Sequence, residues 1–320
     1  MNKPIINAVS VSGGKDSTAM LLLAIERETP NLRVLFADTG HEHRQTYEYV
    51  DYLRERLGIE IETVRADFAA QIARKRETVE TKWRKDGLPE STIERALAVL
   101  HPTGNPFLDL CLWKGRFPST RARFCSSELK HMPIQERLDG FAVGAQAVVS
   151  WQGVRADESA ARRDLPERDV EFGQWEPEPR GMLVYRPILK WTVEDVFAMH
   201  RKHGVEPNPL YAQGMGRVGC MPCIHARKDE LREIGTRFPE EIARVAQWER
   251  LVSQTSKQGA STFRTASGYT DEEITIENLA EHGIWQAVEW AKTSRGGRQY
   301  DLISSTQETT VCSSIYGLCE

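Results

Sequence analysis

The sequence predicts an α/β fold built on a parallel sheet, and three features carry that expectation. Apolar runs at 5–11, 32–37 and 60–64 alternate with amphipathic stretches at 17–27 and 44–57. Strand and helix in repeated succession connect by right-handed crossovers, which makes the sheet parallel. The first run ends in a glycine loop, Ser12-Gly13-Gly14-Lys15-Asp16-Ser17, and the second in Asp38-Thr39-Gly40. Both lie at the carboxyl ends of their strands, where parallel sheets bind ligands.

Farther along, residues 68–100 read as charged helix broken at Gly87-Leu88-Pro89, an insertion or lid. A polar, basic stretch follows from Cys111 to Lys130. Residues 144–151 return as a strand that runs into GVRADESAARRD, and 164–181 carry prolines without periodicity and read as a loop. A strand is expected over 183–189 and a helix over 191–203, with Thr192 as N-cap and Glu194 and Asp195 in its first turn. The remainder is mainly helical and ends in a polar tail. Two parts are therefore expected: 1–215, nucleotide-binding with a helical insertion at about 68–105, and 216–320, a CxxC segment with a helical C-terminal region.

The 320 residues are 40% hydrophobic and 28% charged, ordinary for a globular chain. No apolar run approaches the roughly 20 residues that span a bilayer, and MNKPIINAVS has no signal-peptide core. A cytoplasmic protein without a membrane partner is expected. The net charge of −4 argues against a nonspecific nucleic-acid coat. Lys114, Arg116, Arg121, Arg123 and Lys130 still form a local basic stretch, open to an RNA or DNA acceptor, to a nucleotide, or to salt bridges with acidic helices. The pattern leaves the oligomeric state open.

A glycine turn between strand and helix offers backbone N–H groups and a positive helix end to an anion. Lys15 adds a cation, and Ser12 and Ser17 add hydroxyls. Neither GxxxxGK[ST] nor GxGxxG is present, so this is neither a Walker loop nor a dinucleotide fingerprint. Arg155 and Arg162 have the planar fork that grips phosphate or sulfate, or else they pair with Asp157 and Glu158. Asp16 and Asp38 are oxygen ligands suited to Mg²⁺.

Four cysteines from two segments, Cys111 and Cys125 with Cys220 and Cys223 of a CxxC, suit tetrahedral zinc and a [4Fe–4S] cluster equally. Cys111 also suits the core as a small apolar residue. Cys312 and Cys319 lie in the tail. His41, Glu42 and His225 are given no role.

SGGKDS after the first strand resembles the pyrophosphate loop of the ATP pyrophosphatases, which split ATP between its α and β phosphates. Phe36-Ala37-Asp38-Thr39-Gly40-His41-Glu42 resembles the second-strand motif of one branch, the phosphoadenosine phosphosulfate (PAPS) reductase family. Gly153-Val154-Arg155-Ala156-Asp157-Glu158-Ser159-Ala160-Ala161-Arg162 resembles its GxRxxxSxxR motif. Phe124-Cys125 to Lys130, Pro133, Pro187 to Thr192 and Asn208-Pro209-Leu210-Tyr211 complete the ordered set. The resemblance implies an adenine nucleotide alpha hydrolase-like, HUP-type sheet.

It also implies Lys15, Asp16 and Arg155 as catalytic residues, and nucleotide contacts from Ser12, Gly13, Gly14, Lys15, Asp16, Ser17, Asp38, Thr39, Gly40, Arg155 and Arg162. The implied cofactors are ATP with Mg²⁺ and a [4Fe–4S] cluster on Cys111, Cys125, Cys220 and Cys223, zinc being the alternative. Members including the DNA phosphorothioation enzymes carry such a cluster. Cluster-bearing reductases have adjacent cysteines where Phe124-Cys125 stands, so Cys111 must supply the fourth ligand. The reductases' loops lack the Lys and Asp retained here, and their Glu-Cys-Gly tail motif is absent from Gly317-Leu318-Cys319-Glu320. The expected activity is thus adenylation of a nucleic-acid or protein acceptor for sulfur transfer. The alternatives are a PAPS or adenosine phosphosulfate reductase and a non-catalytic nucleotide-binding accessory protein.

Overall fold

In a computed structural model, which describes residues 3–170, 182–265 and 274–293, six strands form one sheet. They are β1 (Ile5–Val11), β2 (Leu32–Ala37), β3 (Ile61–Val64), β4 (Ala147–Trp151), β5 (Arg168–Val170) and β6 (Met182–Tyr185). Their spatial order is β3-β2-β1-β4-β6-β5. All pairings are parallel except that of β5 with β6. This is the expected α/β architecture, a mostly parallel sheet flanked by helices.

β1 is central because its Val- and Ile-rich sequence suits burial on both faces. Val9 and Val11 point to one core, with Phe36 and Trp151, under the helices Lys15–Glu26, Arg44–Leu57 and Val193–His203. Ala8, Leu35 and Val148 point to the opposite core, under the helix Met132–Ala142. The period of two along each strand produces this split. Register pairs Val11 with Phe36 and Val9 with Trp151, so β1, β2 and β4 discharge their following loops along one edge.

The largest apolar cluster joins helices from both ends of the chain. Trp83 and Ile93 come from the segment read as an insertion, Phe107 from the helix that follows it, and Leu231, Trp248 and Ile284 from the C-terminal helices. Buried Glu249 staples this body by accepting from the Phe263 amide at 2.8 Å and the Ile284 amide at 3.0 Å. Burial pushes its carboxyl up to about 7 against the pull of those amides. No described helix is long and apolar enough to cross a membrane.

Three local expectations change. The stretch 164–181 holds β5, an edge strand of three residues, too short for its period to register in sequence; 171–181 lie outside the described residues. The polar stretch from Cys111 opens inside a buried helix, Pro106–Lys114, capped by Asn105, whose first basic residue is Lys114. The strand expected to reach 189 stops at Tyr185, since Pro187 removes a ladder donor and Arg186 turns inward to Gln152 and the Pro166 carbonyl. Thr192 does cap its helix, in a reciprocal pair with Asp195.

Candidate active site

The glycine loop holds a conformation that side chains would forbid. Gly13 has φ +82°, and a Cβ there would come within 2.7 Å of Thr46 Cγ2. Gly153 permits a second close approach, because its Cβ would lie 3.2 Å from Ser17 Cα. The exit of β4 therefore runs against the loop backbone and delivers Arg155 to it.

Within the loop, the Ser12 amide donates to Ser17 Oγ at 3.1 Å, and the two hydroxyls lie 3.0 Å apart. Distant residues brace the turn from outside. Asn208 Nδ2 donates to the Gly13 carbonyl at 3.2 Å, His200 Nε2 donates to the Lys15 carbonyl at 2.9 Å, and the Lys15 amide donates to Tyr211 Oη at 3.0 Å.

Asp16 has no exposed surface, and two cations meet it. Its Oδ2 lies 2.6 Å from Lys15 Nζ and its Oδ1 2.5 Å from Arg155 Nε. Arg155 also reaches Asp157 at 2.7 Å. Burial opposes the Arg155 charge, but Asp16, Asp157 and Glu158 outweigh it and hold its pKa above the ordinary value. Arg162 pairs with Glu158. Both arginines of the anion-gripping expectation are thus buried against carboxylates. Each oxygen of Asp16 faces a cation, which suits it to fixing Lys15 and Arg155 in place.

Asp38 sits at the end of β2. Its Oδ1 accepts from the Gly40 amide and from Tyr47 Oη, both at 2.8 Å, and its Oδ2 pairs with Arg65 Nη2 at 2.6 Å. Thr39 Oγ1 donates to Glu42 at 2.7 Å.

Glu42 then links this turn to the CxxC. It forms an isolated antiparallel bridge with Cys220, whose Sγ lies 3.7 Å from Glu42 Oε1 and 3.8 Å from Thr39 Oγ1. The Met221 amide donates to the His41 carbonyl at 2.9 Å, and His41 Nε2 donates to the Pro222 carbonyl at 2.9 Å. Burial, then Arg244, pushes His41 down to about 3, so it is a neutral donor stacked 4.2 Å from Phe107.

Cys125, Cys220 and Cys223 feel one another's charge, and Cys111 feels that of Cys125. Burial raises the Cys111 thiol, and Cys125 raises it further. Burial and then Cys223 push Cys125 up to about 12. Cys220 is raised by burial and also by Glu42, Cys223 and Cys125, against a lowering pull from Lys130. Buried Lys130 lies among them: burial disfavours its charge, but Cys220, Glu42, Cys223 and Cys125 hold its pKa up. Cys111 is also fully buried in the apolar core. Among the described residues no three His, Cys, Asp or Glu are placed to hold one metal ion. Cys312 and Cys319 lie outside the described residues.

A family model described as the phosphoadenosine phosphosulfate reductase domain matches residues 6–101 and 109–226. The chain belongs to that family. Its relatives in the PAPS reductase family include an uncharacterised 37.8 kDa protein of Escherichia phage 186, 53% identical over 98% of this chain and 97% of the relative. The phosphoadenosine 5'-phosphosulfate reductase of Vibrio parahaemolyticus is 24% identical over 72% of this chain and 71% of its own. A crystal structure of the PAPS reductase of Candida auris, in complex with phosphate, aligns at TM-score 0.41 and 18% identity over 67% of this chain and 80% of that one.

Sequence reasoning gave Glu42 no role and passed over Tyr47, Arg65 and His200. Arg65 carried a readable signal, since it follows β3 at the carboxyl edge. His200 carried none, being one polar residue inside an amphipathic helix. Asp16→Asn removes the charge that offsets Lys15 and Arg155, and is expected to cost about 3 kcal/mol or more of stability, as for a broken buried ion pair. Urea denaturation measures it, and an unchanged midpoint would refute the pairing.

Proposed function

We propose that the chain, in the cytoplasm, binds ATP on residues 12–17 and splits it between the α and β phosphates, adenylating an acceptor destined for sulfur. The observation that carries this reading is the retention of Lys15 and Asp16 in a loop braced by Asn208, His200 and Tyr211. A loop serving a nucleotide without β and γ phosphates has no use for a lysine held at that point.

The acceptor's nucleophile attacks the α phosphorus, the bond from that phosphorus to the bridging oxygen breaks, and pyrophosphate leaves with the electron pair. Lys15 and the loop amides receive the charge that develops on the leaving group, while Arg155 steadies the α phosphate. Ser12, Gly13, Gly14 and Ser17 cradle the phosphates; Arg162 supports the arginine turn. Asp38, Thr39 and Gly40 border the nucleoside. Mg²⁺ bound with the triphosphate neutralises its charge. Residues 1–215 would hold the nucleotide, and 216–320 would supply the CxxC.

Cys111, Cys125, Cys220 and Cys223 are the residues that would hold a [4Fe–4S] cluster, zinc being the alternative. The supporting observation is a set of soft thiols that feel one another's charge around buried Lys130. When bound, the cluster supplies redox and sulfur chemistry beside the nucleotide turn. Sulfonucleotide reduction is the second reading, favoured by the names of the relatives.

Incubation with ATP, Mg²⁺ and candidate acceptors, nucleic acid and protein, should release pyrophosphate. Thioredoxin-dependent sulfite release from PAPS without pyrophosphate would transfer the assignment to the reductases, and neither product would leave an accessory protein. Anaerobic preparations should absorb near ~400 nm, as iron–sulfur thiolate sites do, and Cys220→Ala should abolish that band. A colourless, zinc-loaded protein would contradict the cluster.

A further inference from the structure

A cavity of about 960 Å³ opens on the helical side of the CxxC, with none of residues 12–17 in its wall. Six cations line it: Lys75, Lys114, Arg116, Arg227, Lys257 and Arg264. Among the described residues no carboxylate does. In a chain of net charge −4 such a one-signed wall is not a sampling of the average surface.

Some of these charges are offset from behind the wall. Lys114 pairs with Glu128 at 3.0 Å and Lys257 with Asp86 at 2.8 Å, while Arg227 has a loose contact with Asp229 at 3.7 Å. Lys75, Arg116 and Arg264 make no ion pair among the described residues. His225 supplies an independent sign: it lines the same cavity, is 9% exposed, and its Nε2 has no hydrogen-bond partner among the described residues. A buried polar nitrogen without a partner costs free energy unless a ligand meets it.

We propose that this cavity is a second anion site, taking the phosphate groups of a polyanionic ligand. Its volume lies at the upper end of small-ligand sites, roughly 300–1,000 Å³, so it has room for more than one phosphate. Phe117 and Phe263 in its wall are buried, at 5% and 7% exposure, and offer no open ring face for a base to stack on. Recognition is therefore of phosphate oxygens. Ile224, His225, Ala226 and Arg227 of the wall follow directly on Cys223 in the chain. The site stands whether the SGGKDS loop takes ATP or PAPS.

Calorimetric titration at low ionic strength, with a short oligothymidylate and separately with tripolyphosphate, tests the site. Arg116→Glu and Arg227→Glu alter exposed side chains. Each is expected to weaken binding about tenfold or more, the scale of a lost charged hydrogen bond. Lys15→Ala should leave oligothymidylate binding intact and remove only tripolyphosphate bound on the loop, which separates the cavity from the loop. Affinity for the strand should fall with salt as counterions are released. Tight binding of the oligothymidylate assigns a nucleic-acid backbone, and binding of tripolyphosphate alone that survives Lys15→Ala assigns a free polyphosphate. The proposal is overturned if neither probe binds, or if both charge-reversal variants bind as the parent does.

Discussion

The carboxyl edge of the sheet is organised around one buried charge, the Asp16 carboxylate. An ionised carboxyl without exposed surface is tolerated only when cations meet it, and here Lys15 and Arg155 do so from different segments of the chain. The arrangement requires the β4 exit to pass close to the loop. Gly153 allows that approach, and Gly13 allows the loop to turn beneath it. The glycines, the lysine and the arginine are thus one construction, and the loop alone would not place its cations.

A second constraint joins chemistry to chemistry. Thr39 and Glu42 touch the Cys220 sulfur, and the His41 carbonyl receives the Met221 amide. The turn that ends β2 is therefore also the seat of the CxxC. Thr39, Glu42 and Cys220 are thereby held in one hydrogen-bonded group. Neutral His41, pressed against Phe107 and Trp248, anchors this joint in the largest core.

Much of this was legible in the sequence, and the missing parts share a cause. The strand–helix alternation announced the sheet, and SGGKDS, the second-strand turn and GVRADESAAR fell at its active edge because local patterns encode local structure. Pairing partners 139 to 196 residues apart leave no such trace. The Asp16–Arg155 pair, the Tyr211 hydroxyl on the Lys15 amide and the Glu42–Cys220 bridge exist only after folding. The segment read as an insertion likewise gave no sign that Trp83 and Ile93 share a core with Trp248. Its charges were visible, but the partner of its apolar face lies far away in the chain.

The central claim is that Lys15, fixed by Asp16, serves a β,γ-pyrophosphate. Calorimetric comparison of Mg-ATP with PAPS, on the parent protein and on Lys15→Ala, tests it most directly. Tighter binding of ATP by the parent, lost by about tenfold or more in the variant while PAPS affinity holds, is the expected result for removal of a charged contact. Tighter binding of PAPS by the parent, or an equal loss for both nucleotides in the variant, would contradict it.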